Sequence, residues 1–267
     1  MPPRYFNRCR TVSRSFLTIV LLELLTCGGS LPAYAGELER VLEDSKAYIT
    51  APLHWDSHDW AWFATAAAAT ALATTADESV RDHFAPAASA TGPRSSHELR
   101  DAAPIALLAV GTYLASRWSD NQHLRRTSYD MAEAAGLAMF SSAALKFVTG
   151  RQRPYVTPQS NQWFKSGDAF PSGHVAVAFA AATVFAERDP DPTFARRALA
   201  YGLATATAYA RIDGNSHWLS DAVAGAALGI ATGRFVLHRE SRRTAMQIGV
   251  IPTNGGAIIT WTFQPNE

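Results

Sequence analysis

The sequence predicts an all-α protein, a bundle of about six core helices followed by a short C-terminal β-hairpin. Three observations point there. Apolar, alanine-rich segments of helical length recur along the chain, separated by stretches rich in Pro, Ser and charge. The tail changes character, with β-branched and aromatic residues around Asn254-Gly255-Gly256. A chain of 267 residues is also long enough for one sizeable domain with its own core.

The elements follow in order. Residues 1–35 read as a secretory signal. Arg4, Arg8, Arg10 and Arg14 form a basic start, FLTIVLLELL an apolar centre interrupted by Glu23, and Ala33-Tyr34-Ala35 a small-residue cleavage site. Two alternatives stay open: an uncleaved N-terminal anchor, and lipidation at Cys27, since LLTC resembles a bacterial lipobox. Cys9 and Cys27 are the two cysteines, so cleavage after Ala35 leaves a mature chain without disulfide or thiol chemistry. The core domain is expected over residues 36–243 and the tail over 244–267.

Gly36 to Ile49 places Leu38, Val41, Leu42 and Ile49 at roughly helical spacing among charges, and Pro52 breaks the pattern. Trp60 to Ala76 runs 17 residues without a charge. Asp77 to Asp101 is polar and reads as a loop. Further helices are expected at Pro104–Trp118, Tyr129–Thr149, Ser172–Glu187, Arg196–Arg211 and His217–His238. These segments are short, alanine-rich and interrupted by charge. That favours a soluble or peripheral bundle over an integral one. Met246 to Phe263 carries the hairpin signal.

Composition narrows the function. A net charge of +1 gives no argument for bulk nucleic-acid binding. Charged residues make up only 18% of the chain, so local cationic clusters stand out. Three occur. Lys146 near a helix end is followed seven residues later by Arg153, with Arg151 between them in a direction that spacing does not reveal. Ser172, Gly173 and His174 open an apolar helix, whose free N–H groups and positive dipole end suit an anion. Arg211 precedes His217 and Asp221, which are four apart. On a helix that spacing shares a face, so Asp221 can orient one imidazole nitrogen and leave the other as a nucleophilic lone pair. Guanidinium forks suit phosphate oxygens. Each cluster alone reads as a dipole complement, a surface pair or an ordinary helix start; together, in this order, they read as a site.

These clusters resemble the three-part signature of the type 2 phosphatidic acid phosphatase (PAP2) superfamily, K-x6-RP, PSGH and SR-x5-H-x3-D, over Lys146 to Asp221. All three spacings are intact; Ala210 replaces the serine before Arg211. The resemblance implies that His217 is the nucleophile, that it forms a phosphohistidine, and that Asp221 orients it. His174 is implied as the general acid and later the base. Lys146, Arg153, Ser172, Gly173 and Arg211 are implied as the phosphate cradle, with no metal and no cofactor.

The expected function is hydrolysis of a lipid phosphate or diphosphate by an exported protein of the bacterial envelope. It would be periplasmic or inner-membrane-associated, with the site facing the periplasm and a membrane surface as partner. A periplasmic acid phosphatase for soluble phosphomonoesters is the nearest alternative. A vanadium haloperoxidase and an inactive membrane-associated interaction protein are the alternatives of other classes. His54, His58, His83, His97, His123 and His238 lack a partner pattern and are expected in structural or solvent roles, with a metal site at His54 and His58, beside Asp56 and Asp59, as the minor alternative. Trp55, Trp60 and Trp62 are expected at a core edge or a membrane interface.

Overall fold

The computed structural model describes residues 31–84, 98–189, 191–253 and 256–263. Residues 1–30, most of the expected signal and both cysteines, lie outside them, as does His97. The chain divides into two compact units, Met1–Thr50 and Ala51–Glu267. In the first, α1 (Leu31–Thr50) begins five residues before Gly36, where the helix was expected to start.

The second unit opens with a 3-10 turn, Ala51–His54, at Pro52. Helix α2 (Ser57–Thr74) starts with a capping box: Asp56 accepts the N–H groups of His58 and Asp59, and Asp59 reaches back to the N–H of Asp56. The expected loop at Asp77–Asp101 is corrected at both ends. Asp77–Phe84 is a helix, α3, with Asp77 and Glu78 in its first turn and Arg81 and His83 in its last, the arrangement that complements the helix dipole. Helix α4 (Glu98–Trp118) begins ahead of Pro104. Helix α5 (Gln122–Thr149) begins seven residues before Tyr129, because Asn121 caps it by accepting the N–H groups of His123 and Leu124. Helices α6 (Gly173–Glu187), α7 (Phe194–Asp213) and α8 (Leu219–Ala245) complete the bundle. After α8, β1 (Met246–Thr253) and β2 (Gly256–Phe263) pair antiparallel, with Met246 opposite Phe263.

Helix α6 sits at the centre, packed against α5, α7 and α8. It is apolar on every side, and ten of its 15 residues are buried, as such a helix requires. Its contact with α8 is unusually close because Gly225, Gly229 and Gly233 share one face of α8. A Cβ at Gly225 would lie 2.6 Å from the carbonyl oxygen of Ser172, and one at Gly229 would lie 2.3 Å from that of Ala176. This approach seats the first turn of α8 against the first turn of α6, which is what brings Asp221 to Ser172. Gly229→Ala is therefore expected to destabilise the bundle by about 1–3 kcal/mol, the range for overpacking. A thermal melt reads this as a lowered Tm; an unchanged Tm would contradict the close contact.

Large apolar residues are exposed on several helices. Helix α2 buries none of its residues, and Trp60, Trp62, Phe63 and Leu72 on it are exposed. On α4, exposed Leu107, Val110, Leu114 and Trp118 follow helical spacing. Two helical segments, Gln122–Thr149 and Leu219–Arg239, are long and apolar enough to cross a membrane by length and composition. The full helices α5 (Gln122–Thr149) and α8 (Leu219–Ala245) are longer than their sequence-predicted counterparts, whose polar first or last turns hid their extent.

Candidate active site

Each predicted site residue sits at the end of a helix or in the turn beside one. Lys146 lies in the last turn of α5, which Gly150 ends in a left-handed conformation (φ 52°) with its N–H bonded to the Lys146 carbonyl. The chain then loops from 151 to 172. Backbone bonds from Phe164 to Thr149, from Lys165 and Gly167 to Gly150, and from Ala169 to Arg151 lace the two arms of that loop together. Only a glycine fits at 167, where a Cβ would lie 2.0 Å from the Arg151 carbonyl oxygen.

This lacing delivers Asp168 to the cations. Arg153 donates to both Asp168 oxygens, Nε at 2.6 Å and Nη2 at 2.7 Å. The Lys146 ammonium donates to the backbone carbonyls of Asp168 and Ala169. Lys146 and Arg153 thus meet on one loop, as their spacing predicted, and Asp168 is the acceptor that spacing did not reveal. Burial works against ionisation of Asp168, but the hydrogen bonds and charge of Arg153, with Lys146 behind, hold its carboxyl below the usual range.

Ser172 is the N-cap of α6. Its backbone N–H donates to the Asp221 carbonyl oxygen at 2.9 Å, while its buried hydroxyl has no hydrogen-bond partner. A buried polar atom without a partner is costly and marks a place where a ligand oxygen fits. Gly173 leaves room beside Lys146: a Cβ there would lie 3.2 Å from Ser142 Oγ and 3.8 Å from Lys146 Cε. Arg211, only 2% exposed, lies in the last turn of α7, and its carbonyl accepts the N–H groups of Ser216 and His217.

His217 and Asp221 come together, but not on one helix. His217 lies in the turn before α8 and Asp221 in its first turn. His217 Nδ1 stands 3.6 Å from Asp221 Oδ2, beyond hydrogen-bond range, and that oxygen accepts the Trp218 N–H at 2.9 Å instead. With Nδ1 turned toward Asp221, Nε2 is the nitrogen left to react.

The electrostatics keep both site histidines neutral. Burial pushes the His217 pKa well below its ordinary value, and the charges of Lys146, Arg153 and Arg211 push it further, with His174 adding to them when it is protonated. His174, second residue of α6, is lowered to about 3 by burial first, then by Arg211, Lys146 and Arg153. The same three cations act on both rings, so all eight predicted residues converge. The arrangement can hold an anion among three cations, a serine hydroxyl and a helix N-terminus, with a neutral imidazole alongside as nucleophile.

Sequence reasoning missed Asp77, Asp168 and Ser220, and left Arg151 without a direction. Arg151 turns away from the cradle and bridges Asp77 and Asp221 at 2.6 Å each. No local signal identifies these partners, because they lie 74 and 70 residues from Arg151.

The other histidines sit elsewhere. His54 and His58 are exposed, His123 pairs with Asp189 at 2.8 Å, and among the described residues no cluster of His, Cys, Asp or Glu is arranged to hold a metal ion. Trp55 meets Trp60 edge to face at 5.0 Å, and Arg234 lies over Trp62 at 4.7 Å.

Comparison with known proteins adds three findings. Residues 129–245 match the family model described as the PAP2 superfamily. The chain is 37% identical over 109 residues to a lipid A 1-phosphatase of Porphyromonas gingivalis, covering 39% of this chain. It spans 22% of that relative's length. The crystal structure of Aquifex aeolicus LpxE matches with 24% identity and a TM-score of 0.35, over 54% of this chain and 88% of that one.

Proposed function

We propose, since residues 129–245 match the model of the PAP2 superfamily, that the chain is a metal-independent phosphoric ester hydrolase of that kind, acting on a lipid phosphate or diphosphate in the bacterial cell envelope. The observation that carries this reading is the convergence of Lys146, Arg153 and Arg211 with the unpartnered Ser172 hydroxyl beside neutral His217.

The chemistry follows from the residues. Phosphate oxygens settle among the three cations, the Ser172 hydroxyl and the first N–H groups of α6. There the cations offset charge that builds on the transferring phosphoryl group. The Nε2 lone pair of His217 attacks phosphorus, and the bond from phosphorus to the ester oxygen breaks. The phosphorylated ring becomes positive, and Asp221 stabilises it from the Nδ1 side. His174 gives its proton to the departing oxygen. It then takes a proton from water, whose oxygen attacks phosphorus and releases phosphate and neutral His217. His174 must be charged for the first step, yet the bare cradle holds it neutral. The bound phosphate supplies negative charge against those same cations, and that raises the His174 pKa when the substrate arrives.

The many exposed large apolar residues of α2, α4 and α5 favour a lipid over a soluble ester, since apolar groups exposed in number mark membrane or partner contact. Phe147, 91% exposed, precedes the loop that carries Arg153, and Phe164, 77% exposed, lies on it. The similarity to a lipid A 1-phosphatase points the same way. In this reading residues 1–35 direct export, and the catalytic end of the bundle faces the periplasm.

The test is phosphate release from phosphatidic acid, lipid A and a polyprenyl diphosphate in detergent, beside a soluble aryl phosphate, with chelator present. The expected result is metal-free turnover of a lipid and competitive inhibition by vanadate. Preference for the aryl ester would give the soluble-phosphatase reading. Vanadate-dependent halide oxidation by peroxide would give the haloperoxidase, and no release from any ester would leave an interaction protein.

A further inference from the structure

Two buried charges have no part in holding phosphate. Arg151 is 1% exposed and Asp77 0%. Arg151 Nη1 donates to Asp221 Oδ1 at 2.6 Å and to Ser220 Oγ at 2.7 Å, and Nη2 donates to Asp77 Oδ2 at 2.6 Å. Asp77 also accepts the Ser220 N–H at 2.8 Å and the Ser220 hydroxyl at 2.6 Å. The Ser160 carbonyl takes the remaining Arg151 donors, Nε and again Nη2. Trp163 and Trp218 lie against the guanidinium, with ring centroids at 4.4 and 5.5 Å. Every nitrogen of Arg151 is engaged, so it cannot serve as a phosphate ligand.

We propose that Asp77 and Arg151 are positioning residues, forming with Ser220 a buried chain of alternating charge that fixes the orientation and charge of Asp221 behind His217. The proposal rests on the phosphatase reading above. A buried carboxylate stays ionised when a cation is held against it, and a buried cation is tolerated when its charge is balanced. The charges facing His217 are Lys146 from α5, Arg153 from the loop, His174 from α6, Arg211 from α7 and Asp221 from α8. All but Asp221 are cationic or become so. Asp77, Arg151 and Asp221 together sum to one negative charge. That charge is the counterweight as His217 turns positive on phosphorylation. Neutralising Asp77 cancels it and draws Arg151 harder onto Asp221. Asp77 lies on α3, outside the family-matched residues 129–245, so the chain couples that helix to the chemistry.

The experiment compares the full-length protein with Asp77→Asn, Asp77→Glu and Ser220→Ala, reading kcat, KM and Tm on phosphatidic acid. Asp77→Asn is expected to lower kcat by about 10- to 100-fold, the range for partners one step behind a catalytic group, with KM within about 2-fold. Asp77→Glu, which keeps the charge, recovers part of the loss. Ser220→Ala, the gentler change, lowers kcat in the same direction and covers the case in which Asp77→Asn does not fold. Unchanged kcat in folded variants, or a rise in KM with kcat intact, overturns the proposal. If the unaltered protein releases no phosphate from any ester, the phosphatase reading fails by itself. The chain is then read from the NMR titration of the His217 imidazole, whose midpoint falls in Asp77→Asn and, if unmoved, overturns the proposal.

Discussion

His217→Ala is expected to lower kcat by about 10⁴-fold or more, the scale on which removing a nucleophile acts, while the protein still folds and still binds vanadate. The ring is 3% exposed and sits in a turn, so its removal empties a small volume without breaking a helix. The cradle survives because its cations hang from α5, the loop and α7. Among the described residues His174 is the other imidazole in the site, and in the proposed mechanism it is committed to the proton. Phosphate release and vanadate binding on the purified variant check both halves. Near-normal release would remove His217 from the nucleophile role, and lost vanadate binding would show that the ring builds the cradle.

His174→Ala carries the second large effect, a loss of about 10²- to 10⁴-fold in kcat, the range for general acid help. The loss should depend on the leaving group. An alkoxide such as a lipid glycerol needs a proton as it departs; an activated aryl oxide does not. The deficit should therefore shrink for nitrophenyl phosphate and stay large for phosphatidic acid. The same residue gives a pH prediction. The bare site holds His174 neutral down to about pH 3, and a bound anion offsets Arg211, Lys146 and Arg153. Adding vanadate should move its titration upward, which histidine NMR resonances report. A deficit equal for both leaving groups would assign His174 to binding rather than proton transfer.

Much of the site was legible because its signals are local. Lys146 and Arg153, Ser172 to His174, and Arg211 to Asp221 lie at helix ends, where short spacing dictates which groups meet. Legibility stopped where contacts cross the chain. Nothing near Asp77 distinguishes it from a loop carboxylate, yet it is fully buried against Arg151. Nothing near Asp168 shows that it will fill the Arg153 fork. The i,i+4 spacing of His217 and Asp221 predicted their approach but not its geometry, since His217 stops short of the helix. Fold errors have the same character. Apolar periodicity found the buried middle of α5 but not its polar first turns, and the composition of Asp77–Asp101 hid a helix held by charge at its ends.

The most direct test of the account is to quench the enzyme during turnover of a labelled lipid phosphate and locate the label. The account predicts one phosphoryl group on His217, labile in acid and stable in alkali, absent from His217→Ala and accumulating in His174→Ala with an activated substrate. Rapid turnover with no phosphorylated protein at any quench time, or with the label on another residue, would contradict it.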